Sequence, residues 1–474
     1  MTLHGLQLTV ECATELEYKI NSITNSLSKS YYRNSLIKLS KKNFENASII
    51  NDYIITEQNE LNIKNSTKEG KIKILVWLSN HFQDEKSFKE MTKYDILAFL
   101  NKLRKSSVED PTHKWIGSYN GRQMVLNKFF RRLYNPNEPD NNKRETPEYM
   151  KGVRKLPRKE KTSYNSEDIW GPRENAIFLK YCPSIRDRCY HAMSVDTSAR
   201  PHELLNLKIK DVKFHVTEEG KQYAEVRIIE GKTGTRKVPL IDSLPYLKEY
   251  LSSSKSGDDK EYSTNSTNPD SWIFVSTGNN HGSKLTYDGL ATRYVYYKKK
   301  YFPSLLKDET IPEVDKSWIR NMLTKPWNLY ILRHSSLTEK SQIVSESVLR
   351  DHAGWSMSSK MPQVYIHLSN ESSKILLEKR GIINKKDKEI STALKSRECP
   401  NCNEPNKPES KFCIKCNMVM SFDSYNETIK ERQCKEKEMV ELKQKYETDI
   451  KLLREEMENK FQYIINKIEF NKLH

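Results

Sequence analysis

Four short stretches of this chain hold side chains that could bind an anion, deliver a proton or act as a nucleophile. In TSARPHELLNLKIKDV, Pro201 suits the first position of a helix and places Arg200 at its amino-terminal end. That end carries partial positive charge, so an arginine there is poorly placed unless an anion sits opposite. Glu203, three residues on, is close enough to brace the guanidinium. In IIEGKTGTRKV, Lys232 sits on a turn from which an ammonium could reach over a substrate and deliver a proton. In WNLYILRHSSLTEK, Tyr330, Arg333 and His334 share one face of a helix. A planar guanidinium there can grip two phosphate oxygens. In HAGWSMSSKMPQVYIHLS, Tyr365 lies beside the stripe Met361, Val364 and Leu368, close behind Gly354 and Trp355. Each has an ordinary reading: a surface arginine, a solvated turn lysine, a satisfied buried histidine, a core tyrosine.

Two Cys-x-x-Cys knuckles, CPNC and CIKC, are separated by ten residues. Cys399, Cys402, Cys413 and Cys416 can together give four-sulfur tetrahedral coordination, and the expected ligand is a structural zinc ion. Four thiolates leave no open position, so no catalysis is assigned to it. The other reading is a redox pair. Lys407, Lys411 and Lys415 leave contact with DNA open, as well as contact with protein.

These residues need scaffolding, and the chain is long enough to supply it. Its 474 residues allow two to four domains. Hydrophobic residues make up 36% and charged residues 30%, with a mean hydropathy of −0.80. No run approaches the ~20 apolar residues of a membrane helix, and the amino terminus lacks the order of a signal peptide. A cytoplasmic, nucleoid-associated protein without membrane partners is expected. The 80 basic and 63 acidic residues give +17 and a pI near 9.2, which favours a polyanion such as double-stranded DNA. Lysine-rich coding bias is the bland alternative reading of the charge.

Glycine and proline are scarce, and apolar spacings of three and four predict a mainly α chain with a small antiparallel β-sheet. Residues 1–60 read as a polar helical extension. Residues 61–150 read as a helical domain, with IKILVWLSNHF, DILAFLNKLRK and NGRQMVLNKFFRRLY as its helices. A basic linker is expected over 151–165 and a larger domain over 166–380. Within the latter, VKFHV, YAEVRIIE and KVPLI predict strands, the last two forming a hairpin through GKTGTRK. Residues 252–270 read as a low-complexity loop and 380–398 as a charged linker. The cysteine cluster falls in 396–420. In the tail, 425–474, Met439, Tyr446, Ile450, Leu453, Met457, Phe461, Ile464 and Ile468 suggest a coiled-coil seam of some four heptads, or an amphipathic helix docked on its own chain.

Taken in order, Arg-x-x-Glu, a hairpin Lys, Tyr-x-x-Arg-His, Gly-Trp and Tyr-Ile-His resemble the tyrosine recombinase, or phage integrase, family. GWS…KMPxxY is similar to archaeal integrases. The resemblance spans about residues 67–380. It implies that residues 61–150 form a helical core DNA-binding (SAM-like) domain and residues 166–380 a tyrosine recombinase catalytic domain. It also implies that Arg200 and Arg333 clamp the scissile phosphate and Lys232 protonates the leaving 5′-hydroxyl. Trp355 would support the phosphate or the tyrosine, and Tyr365 would attack phosphorus to give a 3′-phosphotyrosyl link. Glu203 would orient the site.

Two positions depart from the family pattern. Tyr330 stands where a histidine is usual, and a phenol with a reference pKa near ~10 is a poor general base at neutral pH. Trp355 precedes Tyr365 by ten residues, one more than usual, so that His352 is the alternative source of an imidazole.

The resemblance implies a site-specific DNA recombinase that works as a homotetramer on DNA. The covalent intermediate conserves bond energy, so no nucleotide cofactor and no catalytic metal are expected. The chain has neither a Walker-type glycine loop nor a convincing acidic cluster for two metals. The alternatives are a catalytically inactive DNA-binding protein of the same fold and a type IB topoisomerase-like strand transferase.

Overall fold

The computed structural model describes residues 3–27, 29–157, 164–231, 234–253, 267–278, 281–368, 394–420 and 422–470. The chain divides into two compact units, Met1–Ser163 and Tyr164–His474.

The first unit is helical: α1 (Leu3–Thr24), α2 (Ser30–Lys42), α3 (Phe44–Leu61), α4 (Asn65–His81), α5 (Lys93–Asn101), α6 (Trp115–Tyr134) and the short α7 (Glu148–Lys151). The helices expected in the three apolar segments are α4, α5 and α6. Thr92 and Asp95 close a capping box at the start of α5. Residues 1–60 are not a separate layer. Leu16, Ile20, Leu39 and Ile54 enter the same core as Leu75, Leu126 and Phe129. Their polarity in sequence is misleading because several polar groups are buried and satisfied. The Asn46 side-chain oxygen Oδ1 accepts from the Phe88 backbone N–H at 2.9 Å, and Lys71 pairs with Glu57 out of water.

The second unit begins with α8 (Pro172–Tyr181), α9 (Ile185–Thr197) and α10 (Pro201–Leu205). Three strands follow, β1 (Val212–Val216), β2 (Gln222–Gly231) and β3 (Gly234–Leu240), antiparallel in the order β1-β2-β3. Val226 opposes both Val212 and Val238. The expected hairpin is therefore β2–β3, although Lys232 on its turn lies outside the described residues. Alternation along β2 and β3 buries Ala224, Val226, Ile228, Val238 and Leu240.

Helices α11 (Leu244–Ser253), α12 (Tyr287–Tyr296), α13 (Phe302–Leu305), α14 (Glu313–Thr324), α15 (Leu329–Lys340), α16 (Glu346–Ala353) and α17 (Met361–Leu368) pack around this sheet and the first three helices of the unit. Phe178 stacks on His191, Tyr294 and Phe302 in its core. Most of the 252–270 loop and of the 380–398 linker lies outside the described residues, as does 158–163.

The cysteine segment folds around β4 (Arg397–Glu398) and β5 (Pro405–Asn406). It rests on α11 and the sheet. Lys248 pairs with Glu404, the Gln222 amide donates to Glu404 at 3.0 Å, and Lys407 reaches Glu249 at 2.6 Å. The last helix, α18 (Phe422–Phe470), leaves every side chain from 435 to 461 exposed. No helix among the described residues is long and apolar enough to cross a membrane.

Candidate active site

The end of α9 and the start of α10 fix the first arginine. Ser198 closes α9 in the left-handed conformation, with φ of 50°, and turns the chain so that Arg200 caps α10. The Arg200 backbone N–H donates to Glu203 Oε2 at 2.9 Å, and its guanidinium donates to Oε1 at 2.7 Å. Glu203 thus braces Arg200 through both main chain and side chain.

The second arginine lies on α15. Arg333 is 4% exposed, and its guanidinium donates to the Ser198 carbonyl at 2.5 Å and the Ala353 carbonyl at 2.9 Å. Burial pulls its pKa down to about 10, helped by repulsion from Arg200. It stays cationic at neutral pH. Two carbonyls satisfy hydrogen bonds without cancelling charge, so the cation remains available to an anion.

Tyr365, on α17, is 2% exposed. Its ring is sandwiched between His334, at 5.5 Å and 28°, and Trp355, at 5.4 Å and 21°. Burial raises the phenol's pKa, while Arg333 and then Arg200 pull it back by favouring the phenolate. Arg333 also lies over the Trp355 ring at 5.8 Å. The helix ends and the aromatic sandwich therefore bring Arg200, Glu203, Arg333, Trp355 and Tyr365 into one cluster.

The imidazoles around this cluster are neutral. Burial lowers His334 to about 4, with Arg333 adding to the effect. Burial likewise lowers His352 to about 3. Its Nε2 meets the Ser198 hydroxyl at 3.1 Å, and that hydroxyl meets Ser336 at 2.6 Å. His352 therefore serves the backbone turn at Ser198, whereas Trp355 is the residue on the tyrosine. Tyr330 is 37% exposed at the start of α15, facing Tyr287 at 6.4 Å.

A third cation was not singled out from the sequence. Arg236 on β3 donates to Glu203 Oε2 at 2.7 Å and to the His352 carbonyl at 3.1 Å. Burial would raise Glu203, but Arg236 and then Arg200 outweigh it and hold the carboxyl at about 2. Arg236 also explains Gly354. That residue has φ of 65°, and a Cβ there would lie 2.7 Å from the Arg236 guanidinium. The signal in the sequence was strand alternation. Arg236 shares its face with Val238 and Leu240, which are buried, so a cation there points inward.

The four cysteine sulfurs lie within 4.8 Å of one another. Cys399–Cys416 and Cys402–Cys416 are 3.5 Å apart, and Cys402–Cys413 is 3.6 Å. A tetrahedron with ~2.3 Å metal–sulfur bonds has edges of roughly 3.8 Å. The backbone N–H of Lys415 donates to Cys413 Sγ at 3.4 Å, a contact that favours thiolate. The set can hold a metal ion.

Residues 174–372 match the model of the phage integrase family. The chain carries an integrase domain. It runs from α8 past Tyr365 and contains the whole arginine–tyrosine cluster. Among solved structures, the chain is similar to XerH site-specific recombinase bound to palindromic difH substrate, at 18% identity and a TM-score of 0.46, over 79% of this chain and 95% of that one. It is similar to Tn1549 transposon integrase in complex with circular intermediate DNA, at 14% and 0.44, over 70% and 99%. A lambda integrase tetramer bound to a Holliday junction follows at 14% and 0.41, over 67% and 76%. No curated protein sequence matches the chain.

Proposed function

We propose that this integrase domain is a site-specific DNA recombinase acting through a 3′-phosphotyrosyl intermediate. The observation that carries the reading is the burial of one tyrosine, Tyr365, under the influence of two arginines that the fold brings from α10 and α15. Arg200 and Arg333 would bind the non-bridging oxygens of the scissile phosphate and stabilise the extra charge of the pentacoordinate transition state. The Tyr365 oxygen would form a bond to phosphorus as the 5′-oxygen leaves. The phenol proton goes to a base or water, and the leaving oxygen takes a proton from Lys232. Attack by a 5′-hydroxyl on the phosphotyrosine reverses the step, so that religation needs no nucleotide.

Tyr330 is assigned to the edge of the site, beside Tyr287, and not to proton transfer. His334 packs its ring against Tyr365 and would hold the phenol in place, while the phenol proton passes to water. Trp355 would hold the tyrosine ring and leave room for the phosphate. Glu203 and Arg236 would keep Arg200 aimed.

The chain's +17 charge supports duplex DNA as the partner, at a nucleoid-associated location, with four protomers assembling on two sites. The cysteine set would hold zinc as a structural ion, consistent with the sulfur spacing. The test is a nicked duplex that traps the covalent complex. Tyr365→Phe should form no adduct while binding DNA as well as the parent does. An adduct formed by that variant would move the nucleophile elsewhere.

A further inference from the structure

We infer that α18 is a dimerisation helix that joins two copies of this chain in parallel, in the absence of DNA, through a seam with an eleven-residue repeat. The inference is independent of the recombinase reading.

The spacing decides the repeat. Met439, Leu442 and Tyr446 form one set at intervals of three and four. Eleven residues on, the set recurs as Ile450, Leu453 and Met457. Eleven further, it recurs as Phe461, Ile464 and Ile468. The four-heptad seam expected from the spacing is corrected by this: from Met439 a seven-residue repeat reaches Lys460, and from Leu442 it reaches Asp449 and Glu456. Eleven residues over three turns is ~3.67 per turn, slightly above the α-helix's 3.6, which gives a nearly straight seam with a right-handed drift.

The seam needs a cover. In the single chain Met439 is 63% exposed, Leu453 60% and Phe461 61%. A helix of 49 residues spans ~73 Å and gains nothing here from packing on its own protein over 435–461.

Charge chooses the occupant. Residues 435–461 hold seven basic and eight acidic side chains, within a chain whose net charge is +17. A stretch without net positive charge does not suit DNA or an anionic membrane surface. Its flanks do suit a copy of itself. Glu438 precedes the seam position 439, and Lys443 follows 442. Asp449 and Arg454 repeat that arrangement eleven residues later. Between parallel, in-register helices, the residue before the seam meets the partner's residue five positions on. Of the three such pairs, 438 with 443 and 449 with 454 join opposite charges, and the third, 460 with 465, is Lys with Ile. Antiparallel packing would set acid against acid and base against base.

The test is sedimentation equilibrium of the full chain without DNA, at tens of micromolar. The parent should run at twice the 55.7 kDa chain mass. Ile450→Glu with Leu453→Glu should run as a monomer. Lys443→Glu with Arg454→Glu should weaken the dimer roughly tenfold or more, and mixing it with the Glu438→Lys, Asp449→Lys chain should restore association. A monomeric parent, or a dimer that survives the two glutamates on the seam, overturns the inference. Unchanged affinity on reversing 443 and 454 overturns the parallel arrangement.

Discussion

The arginine–tyrosine cluster and the cysteine cluster are electrostatic opposites. In the first, Arg200 and Arg236 converge on one carboxylate, Glu203, while backbone carbonyl oxygens satisfy Arg333. It carries surplus positive charge and suits a phosphate. In the second, four sulfurs crowd within 4.8 Å and suit a cation. Their construction differs as well. The cysteines occupy eighteen consecutive residues, so two tight turns suffice to gather them. The arginines and Tyr365 come from four separate elements, so only the packed domain brings them together. A site made by local turns fails locally when one of its ligands is lost. A site made by the whole fold fails in chemistry long before it fails in structure.

Four perturbations sharpen this contrast, from the largest effect to the smallest. Replacing Arg333 with Ala should slow single-turnover cleavage by ~10²–10³ or more, by analogy with removing one preorganised donor to a developing oxyanion. Affinity for a duplex, read by fluorescence anisotropy, should fall far less. Equal losses in both would make Arg333 a binding residue only.

Cys402→Ser should lower the metal content proposed for the second cluster, read as metal per chain by plasma mass spectrometry. Proteolysis should then cut within 396–420 while the integrase domain stays intact. Collapse of the whole second unit would mean that the contacts of Glu404 and Lys407 with α11 carry more stability than surface pairs usually do.

Glu203→Gln tests the shared carboxylate. Its folded pKa, about 2, lies below the unfolded value near ~4.3, so its stabilising contribution is present above pH ~4.3 and is lost as pH falls towards 2. The melting temperatures of parent and variant should therefore differ at pH 7 and converge near pH 2. A gap independent of pH would show that packing, not charge, fixes that position.

Arg236→Lys is expected to be mildest, lowering the cleavage rate a few-fold and sparing DNA affinity. A lysine keeps the charge but loses the fork that spans Glu203 and the His352 carbonyl.

Much of this was legible in the residues themselves. The knuckle spacing marked the cysteine cluster, and apolar periodicity marked α4 to α6 and the β2–β3 hairpin. Arg200, Arg333, Trp355 and Tyr365 were readable from their order along the chain. Two things were less so. Residues 1–60 look like a polar appendage because Asn46 and Glu57 are buried with partners, and periodicity cannot distinguish a satisfied buried polar group from an exposed one. Arg236 was hidden among the basic residues of a hairpin, where only its phase relative to Val238 and Leu240 separates it from surface charge.

The central claim concerns one oxygen atom. Incubating the full chain with nicked cognate duplex, digesting the complex and sequencing the nucleotide-bearing peptide by mass spectrometry tests it directly. A 3′-phosphate ester on Tyr365 is the result predicted here. An ester on another residue, or none on any cognate site, would contradict it.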